Sequence, residues 1–186
     1  MTGIIESVLT FSRAELNDEI PRKISLSSLV QALVGDYQDT NQPVSLIENS
    51  PIEAEAGRSI FASRSGSIAI LETSKILMYA RPVALRRAVS NLIDNALKYG
   101  RRATVSVSFD VNWVTISVED EGGGSTASDM ERLLEPFERG ENTQNITGYG
   151  LGLTIVATIA HQHGGKVEFE DGKTGVRAKL LLRRSV

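Results

Sequence analysis

Asn91-Leu92-Ile93-Asp94-Asn95, Asp120-Glu121-Gly122-Gly123-Gly124 and Gly148-Tyr149-Gly150-Leu151-Gly152-Leu153 are the three stretches whose reading decides the fold. The first sits in a run whose apolar residues Leu85, Ala88, Val89, Leu92, Ile93 and Ala96 recur at i, i+3, i+4 and i+7. That is the period of an amphipathic helix, here opened by Pro82. The second closes residues 113–119, where apolar and polar side chains alternate as in a half-buried strand. The third leads into an apolar run over 151–163 that stops at Gly164-Gly165, a predicted helix with a glycine entry and a glycine exit. Two amides on a helix, a carboxylate at a strand end and a glycine loop opening a helix thus follow one another in the chain.

Around these stretches the second half of the chain is rich in hairpins. Residues 104–110 and 113–119 alternate about Asp110-Val111-Asn112, and residues 166–170 and 177–182 pair about Asp171-Gly172-Lys173-Thr174-Gly175. Residues 125–147 are polar and uneven, which predicts a long loop. Earlier in the chain, Ser25 is a candidate N-cap for a helix to about Asp39 through Leu29, Val30, Leu33 and Val34, and residues 44–47 read as a strand. Short strands are predicted at 59–62, 67–71 and 76–79. Residues 3–20 read as an amphipathic helix with an apolar stripe at Ile4, Val8 and Phe11, ended by Pro21, either a terminal core helix or one that pairs with another helix. No internal repeat is present. Helices mixed with hairpin strands pack most naturally as an α+β, two-layer α/β sandwich, with helices on one face of a mixed sheet.

Composition narrows the function classes. The 186 residues are 41% hydrophobic and 23% charged, with a net charge of −3 and mean hydropathy −0.09. This is a soluble globular profile without the basic patch that nucleic acid demands. Cys is absent and His161 and His163 are the two histidines, so thiolate and His-rich metal sites are excluded. No apolar run reaches the length of a membrane span, and the N-terminus lacks a signal pattern.

Chemistry is concentrated in the three stretches. Asn91 and Asn95 share one helix face, and Lys98 lies three residues beyond. Neutral amide oxygens serve as Mg²⁺ ligands when phosphates supply the remaining charge; Lys98 would offset phosphate charge and Tyr99 cover an adenine face. Taken alone, asparagines so placed are more often ordinary polar residues of a helix surface. Asp120 can accept a hydrogen bond from an exocyclic amine such as adenine N6, while glycines let backbone approach a flat base; an Asp before glycines is also a common turn. Successive N–H groups at Gly148, Gly150 and Gly152, with the helix dipole behind them, form an anion nest. It is neither a Walker A loop nor a dinucleotide fingerprint. The joint, ordered occurrence of the three favours a nucleotide site.

With those residues in view, the chain resembles the catalytic ATP-binding domain of a bacterial sensor histidine kinase, in the superfamily shared with gyrase, mismatch-repair and heat-shock chaperone ATPases. Residues 91–99 are similar to the N box, 120–124 to the first glycine box, 148–153 to the second, 135–140 to the F box of the ATP lid, and His163-Gly164-Gly165 to the closing signature. The resemblance covers about residues 24–184 and implies the Bergerat ATP-binding fold. It implies a nucleotide set of Asn91, Asn95, Lys98, Tyr99, Asp120, Gly122, Gly124, Gly148, Gly150, Leu151, Gly152 and Leu153, with ATP and Mg²⁺ as cofactors. Asn95 is then the metal ligand, Asn91 and Lys98 the catalytic pair, and Arg139 a lid residue near the phosphates. Residues 9–13 are similar to the end of the second helix of the dimerisation and phosphotransfer domain. This divides the chain into residues 1–21, the end of that helix, and 22–186, the catalytic domain.

The resemblance also implies partners: a phosphoacceptor domain of the parent kinase, a response regulator indirectly, a homodimer through residues 3–20, and a cytoplasmic location with the parent at the inner membrane. The ATPase branches carry Glu where this chain has Asn91. An amide has no useful proton affinity near neutral pH, which favours phosphoryl transfer over hydrolysis. The alternatives are an anti-sigma-factor-type serine kinase and a nucleotide-binding or dimerisation module without catalysis.

Overall fold

Ser25 begins the first helix as its sequence predicts: its hydroxyl accepts the Ser28 N–H at 3.3 Å, and α1 runs over Leu26–Asp39. A computed structural model describes residues 19–48, 76–123, 126–132, 152–172 and 174–184. The helix expected over residues 3–20 lies outside them up to residue 18, as do the strands expected at 59–62 and 67–71; Glu19 and Ile20 are irregular.

Immediately before α1, β1 (Arg22–Ser25) pairs antiparallel with β3 (Leu77–Ala80), Ile24 opposite Met78. Sequence reasoning missed β1, because four residues with two adjacent charges carry no alternation to detect. The remaining strands, β2 (Val44–Glu48), β4 (Ala103–Phe109), β5 (Trp113–Asp120), β6 (Lys166–Asp171) and β7 (Val176–Arg183), form one sheet in the order β2-β4-β5-β7-β6. β2 runs parallel to β4 and the other neighbours are antiparallel.

Strand alternation sorts the sheet into two faces. Val105, Ile116, Val118, Leu180 and Leu182 are buried on the helix side. Thr104, Ser106, Thr115, Ser117 and Lys179 line a groove of ≈ 430 Å³ on the other. Charges on that open face pair across strands: Arg177 contacts Glu119 at 2.5 Å and Glu170 at 2.9 Å, and Lys179 contacts Glu170. Burial alone would push the Glu170 carboxyl up, but the hydrogen bonds from Lys179 and Arg177 outweigh it and hold it below the usual carboxylate range.

The helix side is dominated by α2, Pro82–Gly100. Its interior holds Asn91, Asp94 and Asn95, each costing roughly 0.5 kcal/mol of helix propensity relative to Ala. Leu85, Val89, Leu92 and Ile93 are almost wholly buried beside them, at about 1.5–3 kcal/mol each. Burial wins, so the helix can carry amides in its middle. Arg81 supplies no side-chain cap; instead the Glu19 carboxylate accepts the Val83 and Ala84 N–H groups at 2.8 and 2.9 Å.

Within the stretch predicted as a long loop, residues 127–132 are helical: α3 spans Ala127–Arg132. Thr126 and Asp129 cap it reciprocally, with Asp129 Oδ2 accepting the Thr126 N–H at 2.9 Å and Thr126 Oγ1 accepting the Asp129 N–H at 3.3 Å. Met130 reaches the core. The last helix, α4, covers Gly152–Gln162.

Candidate nucleotide site

Two helices bring the first stretch and the end of the third, Gly152-Leu153, together. A Cβ placed on Gly152, the first residue of α4, would lie 3.7 Å from Asn95 Nδ2 and 3.9 Å from both Asn91 Oδ1 and Asn95 Oδ1. The positive end of α4 therefore faces the two α2 amides, where an anion is stabilised by dipole and free N–H groups. Among the described residues, Asn91 Nδ2 and Thr154 Oγ1, the latter in the first turn of α4, are buried without a hydrogen-bond partner. A buried unpaired amide costs about 1–3 kcal/mol, a cost that a polar ligand at this seam would remove. A half-turn of the same amide exchanges donor for oxygen. This donor set of neutral amide oxygens beside an anion-binding helix end fits a hard divalent cation shared with phosphates.

The second stretch meets the C-terminal end of α2. A Cβ on Gly100 would stand 2.5 Å from Asp120 Cβ, and one on Gly122 would stand 2.7 Å from the Tyr99 carbonyl oxygen. Neither position tolerates a side chain, so the glycines exist for close approach. The left-handed residue that ends α2 is Arg101, at φ 64°. Asp120 Oδ1 accepts the N–H groups of Gly122 at 2.8 Å and Val176 at 3.2 Å. Those two bonds hold the carboxylate through Oδ1, and an exocyclic amine is a donor that its second oxygen could accept.

Asn91 to Gly100 spans roughly 13 Å of helix, so α2 lays out amides, then Tyr99, then the Asp120 junction along one elongated strip. Lys98 lies with its Nζ 5.2 Å from the Tyr99 ring centroid, and it lines an outer groove of ≈ 440 Å³ with Tyr37, Asp94 and Leu97. Its side chain thus lies between the Tyr99 ring and the groove that faces α1. In that groove burial and the 2.6 Å bond to Asp94 push the Tyr37 hydroxyl up to about 12. Leu153 is buried in the core beneath the entry of α4. Gly124, Gly148, Gly150 and Leu151, with Arg139 and the rest of residues 135–140, lie outside the described residues.

His163 sets the axial register of the two helices. Its Nε2 accepts the Arg81 N–H at 3.0 Å and its Nδ1 donates to the Ile159 carbonyl at 2.7 Å. One ring thereby ties the end of α4 to the start of α2, while Gly152 meets Asn91 and Asn95 at the opposite end. Burial pushes the His163 pKa down, with Arg81 adding to the effect. A depressed imidazole stays neutral in the fold while the unfolded chain takes up a proton, so stability falls as pH drops through the unfolded value of about 6.5. Thermal melts between about pH 7.5 and about pH 5.5 are expected to show this loss, and His163→Gln, which cannot titrate there, to flatten it. Parallel slopes for the two proteins would refute the assignment.

Sequence reasoning missed Asp171, Gly175 and Val176, which surround Asp120 and the start of α3. The capping box Thr126-x-x-Asp129 was the available signal for α3; nothing local in the sequence joins residues 171–176 to Asp120.

The model of the family described as histidine kinase-, DNA gyrase B- and HSP90-like ATPase matches residues 80–184, which hold α2, β5 and α4 with both amides, Asp120 and Gly152. The chain belongs to this family. Relatives of this ATPase-family chain include the sensor histidine kinase GtrS of Pseudomonas aeruginosa, 42% identical over 106 residues, 56% of this chain and 22% of that protein. CpxA of Escherichia coli, a sensor histidine kinase, is 34% identical over 149 residues, 77% of this chain and 31% of its own length. The sensor protein QseC of Escherichia coli is 31% identical over 176 residues, 94% of this chain and 34% of that protein.

The chain thus spans about a third or less of these relatives. Among solved structures, the ATP-binding domain of PrrB from Mycobacterium tuberculosis superposes with a TM-score of 0.63 at 21% identity, covering 91% of this chain and all of that one. The histidine kinase domain of the Escherichia coli osmosensor EnvZ gives 0.60 at 24%, covering 91% and 92%. These likenesses bear out the α+β two-layer sandwich. The chain thus shares its fold with ATP-binding domains of histidine kinases. Among the described residues no helix is long and apolar enough to cross a membrane.

Proposed function

We propose that this chain is the ATP–Mg²⁺-binding catalytic domain of a protein-histidine kinase, which passes the γ-phosphate to a His on a dimerisation domain outside residues 22–186. The observation that carries this reading is the pair of amides, Asn91 and Asn95, facing the N-terminus of α4. An amide binds and aligns but does not take a proton from water, so the site is equipped for transfer to a positioned acceptor.

In this reading Asn95, assisted by Asn91, holds Mg²⁺, which supplies charge neutralisation on the phosphates. The backbone N–H groups at Gly152, with Gly148, Gly150 and Leu151, meet the phosphates, and Lys98 adds positive charge from the end of α2. Tyr99, Gly122 and Gly124 flank the base, Leu153 seats the helix entry, and Asp120 Oδ2 takes the exocyclic amine. Residues 1–21 belong to the dimerisation and phosphotransfer helix and pair two copies; a response regulator is the downstream acceptor. The parent sits at the inner membrane with this domain in the cytoplasm.

Incubating the chain with a separate His-bearing phosphoacceptor domain and γ-labelled ATP is expected to yield an acid-labile phosphohistidine on the acceptor. Label on Ser would move the assignment to a serine kinase. ATP binding without any protein labelling would reduce the chain to a nucleotide-binding module.

A further inference from the structure

We infer that Asp171 is a positioning residue for purine recognition: it ties helix α3 to the β6–β7 turn, and that turn holds the Asp120 carboxylate. The inference rests on Asp120 meeting the purine amine, as proposed above.

The tie is continuous. Asp171 ends β6 and stands opposite Val176 in the hairpin register. The Gly172 N–H donates to the Gly175 carbonyl at 2.7 Å, closing the turn between them. From that turn the Val176 N–H reaches Asp120 Oδ1 at 3.2 Å. Gly175 presses so near that a Cβ there would collide with the same oxygen and stand 2.6 Å from the Asp120 backbone oxygen. Loosening the turn therefore leaves Asp120 Oδ1 held by the Gly122 N–H alone.

On its other side Asp171 Oδ1 accepts the Ala127 N–H at 2.9 Å. Ala127 is the first residue of α3, and its N–H is one that the helix cannot satisfy by itself. The capping box at Thr126 and Asp129 uses other donors, and Met130 fixes the same turn to the core. Asp171 is exposed, and an exposed carboxylate at a strand end is ordinarily just solvated. This one instead joins two segments 44 residues apart, both adjoining the glycine-rich end of β5.

The test titrates the full chain with Mg²⁺ and non-hydrolysable ATP and GTP analogues. Asp171→Ala is expected to weaken the ATP analogue about threefold to tenfold, with the GTP analogue affected less, so that purine preference narrows. Asp171→Asn keeps an oxygen acceptor and is expected to restore the wild-type values. Ala127→Pro removes the donor at a helix position that suits proline, and is expected to reproduce Asp171→Ala even if that variant folds poorly. Unchanged affinity, equal weakening of both analogues, or failure of Asn to rescue would overturn the inference. Asp120→Asn, titrated alongside, separates the two levels. If it leaves purine preference intact, the purine reading of Asp120 has failed; if it abolishes preference while Asp171→Ala and Ala127→Pro retain it, only the tie is wrong.

Discussion

Asp120→Asn is expected to lose about 10- to 100-fold in affinity for the ATP analogue, with a matching loss of discrimination against GTP. The geometry makes this substitution unusually clean. Asp120 Oδ1 accepts the Gly122 and Val176 N–H groups, and the amide oxygen of Asn can keep both bonds, so the turn and the strand end should hold. What changes is the other atom: an NH₂ then faces the adenine amine, donor against donor, and the desolvated contact becomes repulsive. Guanine presents an oxygen at that position and would be tolerated better. Calorimetric titration of both analogues, with a thermal melt as control, reads the two effects separately. A Tm near wild type with collapsed preference is the expected pair of results.

Asn95→Ala is expected to lower phosphotransfer by about 100-fold or more, through loss of the metal-ligating oxygen. Stability should move the other way. Asn95 sits in the interior of α2, where Ala is favoured by roughly 0.5 kcal/mol, and Asn95 is half-buried rather than part of the core. A melt at or slightly above that of the parent protein, together with nearly absent transfer, would separate a ligand from a packing residue. Transfer at the parental rate would show that the metal is held elsewhere.

The legible parts of this molecule are those written in local pattern. The 3.6-residue period through Leu85, Val89, Leu92 and Ile93 located α2, and its burial followed because nothing else could cover that stripe. Ser25 declared the start of α1 by its own hydroxyl chemistry. Asp110 similarly marked the β4–β5 turn, where its Oδ1 accepts the Asn112 and Trp113 N–H groups at 2.7 and 2.8 Å.

What escaped was long-range. β1 exists because β3 lies beside it, not because Arg22-Lys23-Ile24-Ser25 prefers to be extended. The capping of α2 by Glu19, and of α3 by Asp171, joins residues distant in sequence. The candidate site divides the same way. Asn91, Asn95, Asp120 and Gly152 could be named from spacing and residue chemistry, and the fold brings Gly152 to both asparagines. The side of α2 that Lys98 occupies, and the turn that clamps Asp120, depend on packing that no window of sequence contains.

The central claim is that the seam between α2 and α4, continued to the end of β5, is the nucleotide site. Backbone amide NMR shifts recorded while Mg²⁺ and a non-hydrolysable ATP analogue are added to the whole chain test it most directly. The largest changes are expected at Asn91, Asn95, Asp120, Gly122 and Gly152. Changes confined to the open sheet face around Thr104, Ser106 and Ser117, with the asparagines and Gly152 unmoved, would contradict it.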